Sequence, residues 1–210
     1  MNGNYVINIG RQIGSGGKKI GEIISRSLGI SLYDKELINL AAEESGFSPE
    51  LFEYADEHRS RGALTSLIGY LRIPFAGDDG GATDVLSGDA LFKIQSDVIR
   101  KIADRESCIF VGRCADYILR ENSRAVNVFI TADSEDRQKR ICSRMGVTPQ
   151  EALSVMERGD ERRASYYNYY SSHKWGAAAT YHLCVNSSVL GLEETAEMII
   201  DFARRKLGNV

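Results

Sequence analysis

Short apolar runs alternate along this chain with longer segments in which apolar residues return every three or four positions. The first run, Tyr5 to Gly10 (YVINIG), ends in glycine and is followed by Gly14-Ser15-Gly16-Gly17. Ile20, Ile23, Ile24 and Leu28 then fall at helical spacing, so the chain opens as strand, glycine loop and helix. Ile30 to Tyr33 reads as a second strand and Lys35 to Ser45 as a helix; Ser48-Pro49 starts another, with serine as cap and proline at the first helical position. From Gly62 to Gly88 the pattern loosens, and Gly77-Asp78-Asp79-Gly80-Gly81 marks a small mobile insertion. Leu91, Ile94, Val98, Ile99 and Ile102 form an amphipathic stripe leading to a strand at Cys108 to Gly112. Val126 to Thr131 is the next strand, and Asp133, Glu135 and Asp136 give the helix after it an acidic start. Thr148-Pro149-Gln150-Glu151 is a capping box opening a long polar helix. Tyr181 to Val185 is the last strand, and Leu192, Ala196, Ile199, Ile200, Ala203 and Leu207 form a closing helix before Gly208.

Five short apolar strands separated by helices predict an α/β fold, a parallel sheet covered on both faces. A length of 210 residues suits one domain with a small insertion, and 43% hydrophobic with 26% charged residues excludes a fibre or a disordered chain. Lys and Arg total 26 against 29 Asp and Glu, a formal charge of −3, which argues against nucleic acid or an anionic membrane as partner. Any anion must therefore be held locally. Cys108, Cys114, Cys142 and Cys184 make no C-x-x-C pair and read as buried free thiols of a reducing compartment. His58 and His182 have no metal-ligand spacing with any partner, so no metal site built by the protein is expected. No signal peptide or membrane span is legible, and the expected location is cytoplasmic.

The candidate chemistry begins at the glycine loop. Closely spaced glycines between a strand and a helix let backbone N–H groups converge on an anion, helped by the helix N-terminus. The alternative is a tight turn without a ligand. The loop departs from the strict G-x-x-x-x-G-K-[ST] pattern. With Gly14-Ser15-Gly16 set on its G-x-G, Arg11 stands at the first glycine, Gly17 at the lysine, and Lys18-Lys19 where hydroxyl residues usually stand.

Beyond the loop, the chain resembles the cytidylate kinase-like proteins, a branch of the P-loop nucleoside monophosphate kinases. The resemblance runs from Ile9 to Gly17 (IGRQIGSGG) through Leu32 to Leu37 (LYDKEL) and Val111 to Asp116 (VGRCAD). It continues with the arginine-rich Arg158 to Ala164, Tyr166-Tyr167, Lys174-Trp175-Gly176 and Asn186-Ser187. It implies a three-layer P-loop fold with a five-stranded parallel core at 1–47 and 89–210, an acceptor-binding insertion at about 48–88 and a lid at about 155–178. It also implies that Arg11, Gly14, Ser15, Gly16, Gly17, Lys18 and Lys19 cradle the phosphates of ATP, Lys18 or Lys19 replacing the absent lysine. Arg113 matches the G-R element that binds the acceptor phosphate, a task suited to a guanidinium fork. Carboxylates flank that element in true cytidylate kinases; here Val111 and Cys114 do, and Asp116, two residues on, is the candidate to serve Mg²⁺ through water.

Asp34 resembles the start of the acceptor-binding segment, with a helix cap as the alternative, and Asp160 resembles an acidic lid position linked to base or acceptor recognition. Arg140, Arg158, Arg162 and Arg163, with Arg137 and Arg144, are candidates to surround a loose phosphoryl transition state, or else to pair with Glu135, Asp136, Glu157, Asp160 and Glu161. Tyr166, Tyr167, Tyr169 and Tyr170, with His173 and Trp175, offer rings that could stack on a base, but read as packing of an amphipathic helix against the core. The expected activity is transfer of the ATP γ-phosphoryl group, with Mg²⁺, to a nucleoside monophosphate, CMP or a related pyrimidine nucleotide. The alternatives are a nucleotide-binding regulator without turnover and a kinase for another small metabolite. Small-molecule nucleotides are the expected partners; oligomeric state is not legible.

Overall fold

The computed structural model describes residues 3–34 and 88–208. The helices expected at Lys35 to Ser45 and from Ser48-Pro49, and the insertion except Gly88, lie outside the described residues. The chain divides into one unit of Met1–Tyr33 with Ile102–Val210 and a second of Asp34–Lys101.

In the first unit, β1 (Val6–Arg11), β2 (Ser31–Tyr33), β3 (Cys108–Val111), β4 (Ala125–Thr131) and β5 (Leu183–Asn186) form one sheet in the order β2-β3-β1-β4-β5. Every pairing is parallel, with Val6 opposite Cys108 on one side and Ala125 on the other. The opening strand is central because both of its faces are covered: Val6, Ile7 and Ile9 are buried. Its neighbours belong to later segments, so the carboxyl end of β1 lies at a topological switch point, where such sheets bind ligands.

Helices α1 (Gly17–Leu28), α2 (Gly88–Arg105), α3 (Ala115–Ile118), α4 (Ser134–Met145), α5 (Pro149–Ser171) and α6 (Ser187–Leu207) complete the described elements. Ile20 and Ile24 of α1 and Ala196, Ile199, Ile200 and Ala203 of α6 join Ile7, Ile9, Ile109, Val126, Val128 and Ile130 in one core cluster. Complete burial of each such isoleucine is worth about 1.5–3 kcal/mol, enough to hold a helix that is marginal alone. The second cluster joins α4 to α5 through Ile141, Ala152 and Met156, with Ile13 packed against it. The second unit's described helical residues include buried Val98 and Ile99, as their stripe predicts.

Local signals held with small shifts. Thr148 Oγ1 accepts from Glu151 N at 3.3 Å while Glu151 Oε2 accepts from Thr148 N at 2.8 Å, the expected capping box. The closing helix is interrupted at Gly191 (φ 80°, ψ −179°), a conformation open essentially to glycine alone, so its regular part starts at Leu192. The last strand starts two residues later than its apolar run, because Tyr181 closes a 3₁₀ turn at Ala178–Thr180. One expectation is corrected. Cys108 and Cys114 are buried free thiols, but Cys142 is half-buried and Cys184 exposed, since β5 is a sheet edge. In the tyrosine cluster Tyr167 is buried, Tyr166 and Tyr170 are half-buried and Tyr169 is 63% exposed, the graded exposure of an amphipathic helix.

Candidate active site

The glycine loop links β1 to α1 at the switch point. Gly14 (φ 74°) and Gly16 (φ 80°) take left-handed conformations, the latter as N-cap of α1. A Cβ at Gly14 would stand 2.7 Å from the carbonyl oxygen of Arg137 and 3.0 Å from its Cα, so the close approach of α4 requires glycine.

The loop's carbonyls are held one by one. Arg163 Nη1 donates to Arg11 O at 3.0 Å, Arg137 Nε to Ile13 O at 2.7 Å, Arg140 Nη1 to Gly14 O at 3.2 Å, and Ser187 Oγ to Ser15 O at 2.7 Å. Gln12 O accepts from the hydroxyl of Ser15 at 2.9 Å and from its N–H at 3.3 Å. Five successive carbonyls are thereby fixed by donors. The first N–H groups of α1 have no acceptor within their own helix, and they carry the positive end of its dipole. The result is a preorganised cradle of amides that needs no large net charge.

A clasp secures the loop to α5. Asp160 Oδ1 accepts from Ile13 N at 2.7 Å and its other oxygen pairs with Arg137, which is only 8% exposed. Gly159 makes room, for a Cβ there would lie 2.5 Å from Ile13 Cγ1. Arg137 and Arg140 stand three residues apart and so share one face of α4. That spacing was legible; the role of Arg137 and of the Ser187 hydroxyl was not, because a carbonyl acceptor leaves no side-chain signature.

Arg11 packs against Gly17, where the loop pattern would have its lysine. A Cβ at Gly17 would stand 2.7 Å from Arg11 Cβ, and one at Gly112 would collide with Arg11 Nη1. Arg11 occupies the room that a side chain at position 17 would need, so arginine at 11 and glycine at 17 belong together. Beside it, Gly112 (φ 84°), Arg113 (φ 58°) and Cys114 (φ 55°) are three consecutive left-handed residues at the end of β3. Two of the three carry side chains, a strain of about 1–3 kcal/mol each that the surrounding fold holds in place. Arg113 is half-buried on this turn.

Asp116 follows in α3. Its Oδ2 accepts from the Tyr167 hydroxyl at 2.6 Å, and burial raises its pKa despite that bond. Burial likewise pushes the Tyr167 phenol up, the neighbouring Asp116 carboxylate adding to the effect. The Tyr167 hydroxyl thus occupies one oxygen of the carboxylate expected to serve Mg²⁺ through water. Position 18 offers no hydroxyl, Ser15 Oγ donates to Gln12, and among the described residues no group of three His, Cys, Asp or Glu is placed to hold a metal. The loop amides, by contrast, form a site suited to an anion.

Of the other predicted residues, Lys18 and Lys19 are exposed on the first turn of α1, and Lys19 pairs with Glu22 at 3.3 Å. Arg158 and Arg162 are exposed on α5, and Arg140, Asp160 and Arg163 meet the loop as described. Asp34 belongs to the other unit. The segment expected as a lid falls on α5 and the residues after it.

A parallel sheet of this strand order with a glycine loop between β1 and α1 defines a P-loop kinase fold. Solved structures share it: a shikimate kinase from Acinetobacter baumannii in complex with shikimate (12% identity, TM-score 0.51, covering 96% of this chain and 93% of that one) and a gluconokinase from Sinorhizobium meliloti 1021 (13%, 0.52, 97% and 93%). An uncharacterised protein from Eubacterium ventriosum ATCC 27560 is more similar, at 27% identity and TM-score 0.71 over 95% of this chain and 98% of that one. A search of curated proteins finds no match. The model of the cytidylate kinase-like family matches residues 6–189, and the chain belongs to that family. Among the described residues, no helix is long and apolar enough to cross a membrane.

Proposed function

We propose that this protein is an ATP-dependent kinase that transfers the γ-phosphoryl group to a nucleoside monophosphate, CMP or a related pyrimidine nucleotide. The observation that carries the reading is the glycine loop whose carbonyls from Arg11 to Ser15 are all engaged by donors. Family membership and the P-loop kinase fold support it. In this reading the loop amides bind the ATP phosphates, and Arg11 and Lys18 supply the charge that the lysine at position 17 would carry. Arg113 binds the acceptor phosphate, and Asp34 contributes to the acceptor side. An acceptor phosphate oxygen attacks the γ-phosphorus as the bond to the β-bridging oxygen breaks, and ADP leaves with that electron pair. Arg158 and Arg162 lie on the lid and close on the transferring group, where catalysis is mainly positioning and charge stabilisation. Magnesium would arrive with the nucleotide and screen its phosphates, held chiefly by phosphate oxygens and water. The test is incubation with ATP, Mg²⁺ and a panel of monophosphates; CDP or a related diphosphate is expected, and no phosphorylated product at high enzyme concentration overturns the reading.

A second reading, a nucleotide-binding protein without turnover, is favoured by the pairing of Lys19 with Glu22 and the missing hydroxyl at position 18. It expects calorimetric binding of ATP with no product. Catalysis that is lost in Lys18→Ala while binding is kept excludes it.

A further inference from the structure

A second recess lies beside the start of β4. Asn122 and Ser123 precede β4, Ala125 and Asn127 belong to its first half, and His182 immediately precedes β5. These residues line a cavity of about 240 Å³ beside the first half of β4. The recess continues past Tyr117 and Arg120 to Asp116 and Tyr167, with Lys206 on its rim.

Its lining is polar and biased towards donors. Arg120 and Lys206 bring cationic side chains, each steadied by a backbone carbonyl: Arg120 Nη1 donates to Tyr117 O at 3.0 Å and Lys206 Nζ to Ser123 O at 3.4 Å. Arg120 also covers the Tyr117 ring at 4.5 Å and has Glu121 at 3.7 Å, a carboxylate 92% exposed and therefore weakly coupled. Among the described residues no carboxylate lies within ion-pair distance of Lys206. His182 Nδ1 accepts from Asn127 N at 2.8 Å, so the neutral imidazole carries its proton on Nε2 and can donate there. Asp116, the acidic group of the lining, is occupied by the Tyr167 hydroxyl. Behind Asn127 the interior is also polar: Asn8, 2% exposed, donates to Asn127 Oδ1 at 2.9 Å, and its own oxygen has no partner among the described residues.

We propose that this cavity is a binding site for a small oxyanion, a carboxylate or phosphate carried by a metabolite smaller than a nucleotide, held by Arg120, Lys206 and the Nε2–H of His182. The volume falls below the roughly 300–1,000 Å³ of drug-sized sites, which suits a metabolite smaller than a nucleotide. Two unlike cations and a neutral imidazole donor on fixed backbone supports suit one anionic head group, with arginine able to grip it bidentately.

The site is tested on the full chain by calorimetric titration with succinate and, separately, with inorganic phosphate, beside nitrogen-15 NMR of the histidine rings. Saturable binding in the range of about 1–10 mM is expected for at least one probe, with the His182 ring signals moving. Binding should weaken about tenfold or more in Arg120→Ser/Lys206→Met and stay unchanged in Lys18→Ala. A response to succinate alone assigns carboxylates, and one to phosphate alone assigns phosphate esters. Binding that survives the double substitution, or that is lost in Lys18→Ala and so belongs to the glycine loop, overturns the proposal. So does the absence of saturation by either probe.

Discussion

Removing the Asp160 carboxylate tests whether the clasp between α5 and the loop organises the site. In Asp160→Ala the Ile13 N–H loses its acceptor, and the Arg137 guanidinium, with a side chain 9% exposed, loses its counter-charge. Breaking a fully buried ion pair from one side costs about 3–5 kcal/mol. Asp160 retains 18% exposure, so solvent recovers part of that, and about 2–4 kcal/mol is expected. For a chain of this size the loss corresponds to roughly 4–16 °C in Tm. Asp160→Asn keeps an oxygen for Ile13 N–H and removes only the charge, so it should be milder by the worth of one hydrogen bond, about 0.5–1.5 kcal/mol. Because Ile13 sits inside the cradle, ATP affinity should fall along with stability, and further in Ala than in Asn. Urea unfolding and calorimetric ATP titration of both variants provide the check. A loss below about 1 kcal/mol in Asp160→Ala, with ATP affinity unchanged, refutes the clasp as an organiser of the loop.

Gly14→Ala forces a left-handed alanine against the backbone of Arg137; about 1–3 kcal/mol of destabilisation is expected from strain alone, with ATP binding reduced in calorimetry. Tyr167→Phe takes the donor from Asp116 and should cost about 1–3 kcal/mol. Burial raises the pKa of Asp116 in the fold, so the stability linked to it is complete below the unfolded value and is lost as pH rises through the folded one. Removing the hydroxyl raises the folded pKa further, and urea midpoints should show a larger deficit at pH 8 than at pH 5. Thiol labelling followed by mass spectrometry should modify exposed Cys184 first, while Cys108, buried and pushed up to about 12, reacts only on unfolding.

The central strands were legible because they are buried on both faces and therefore appear as short runs that are apolar but for Asn8 and Asn127. Val6 to Ile9, Cys108 to Val111 and Ala125 to Thr131 needed no alternation to be found. Signals confined to a single residue were less complete. The Thr148 box was read correctly because its two hydrogen bonds join residues three apart. The left-handed run at Gly112, Arg113 and Cys114 was not, since nothing in the residue types Arg and Cys announces a positive φ. Helix α3 is a single turn that follows directly from that run, too short for any periodicity to mark it.

The site was legible in its glycines and less so in its cations. Arginines near a glycine loop suggest phosphate ligands by charge alone, yet Arg140 and Arg163 have guanidinium N–H groups on the carbonyls of Gly14 and Arg11. Charge and donor capacity are separate properties of arginine: it carries five N–H groups, and one can fix a carbonyl while the charge still acts through space. These two residues therefore hold the loop's polarity in place and add a positive potential to the same cradle. A lysine could do the second but would hold a carbonyl with less directional control. Replacing Arg140 by lysine should accordingly loosen the loop at constant charge. Expected is weaker ATP binding whose salt dependence matches the wild type, because the number of cations near the phosphates is unchanged. Binding equal to wild type would mean that charge alone organises the cradle and that the Arg140 bond to Gly14 O is incidental.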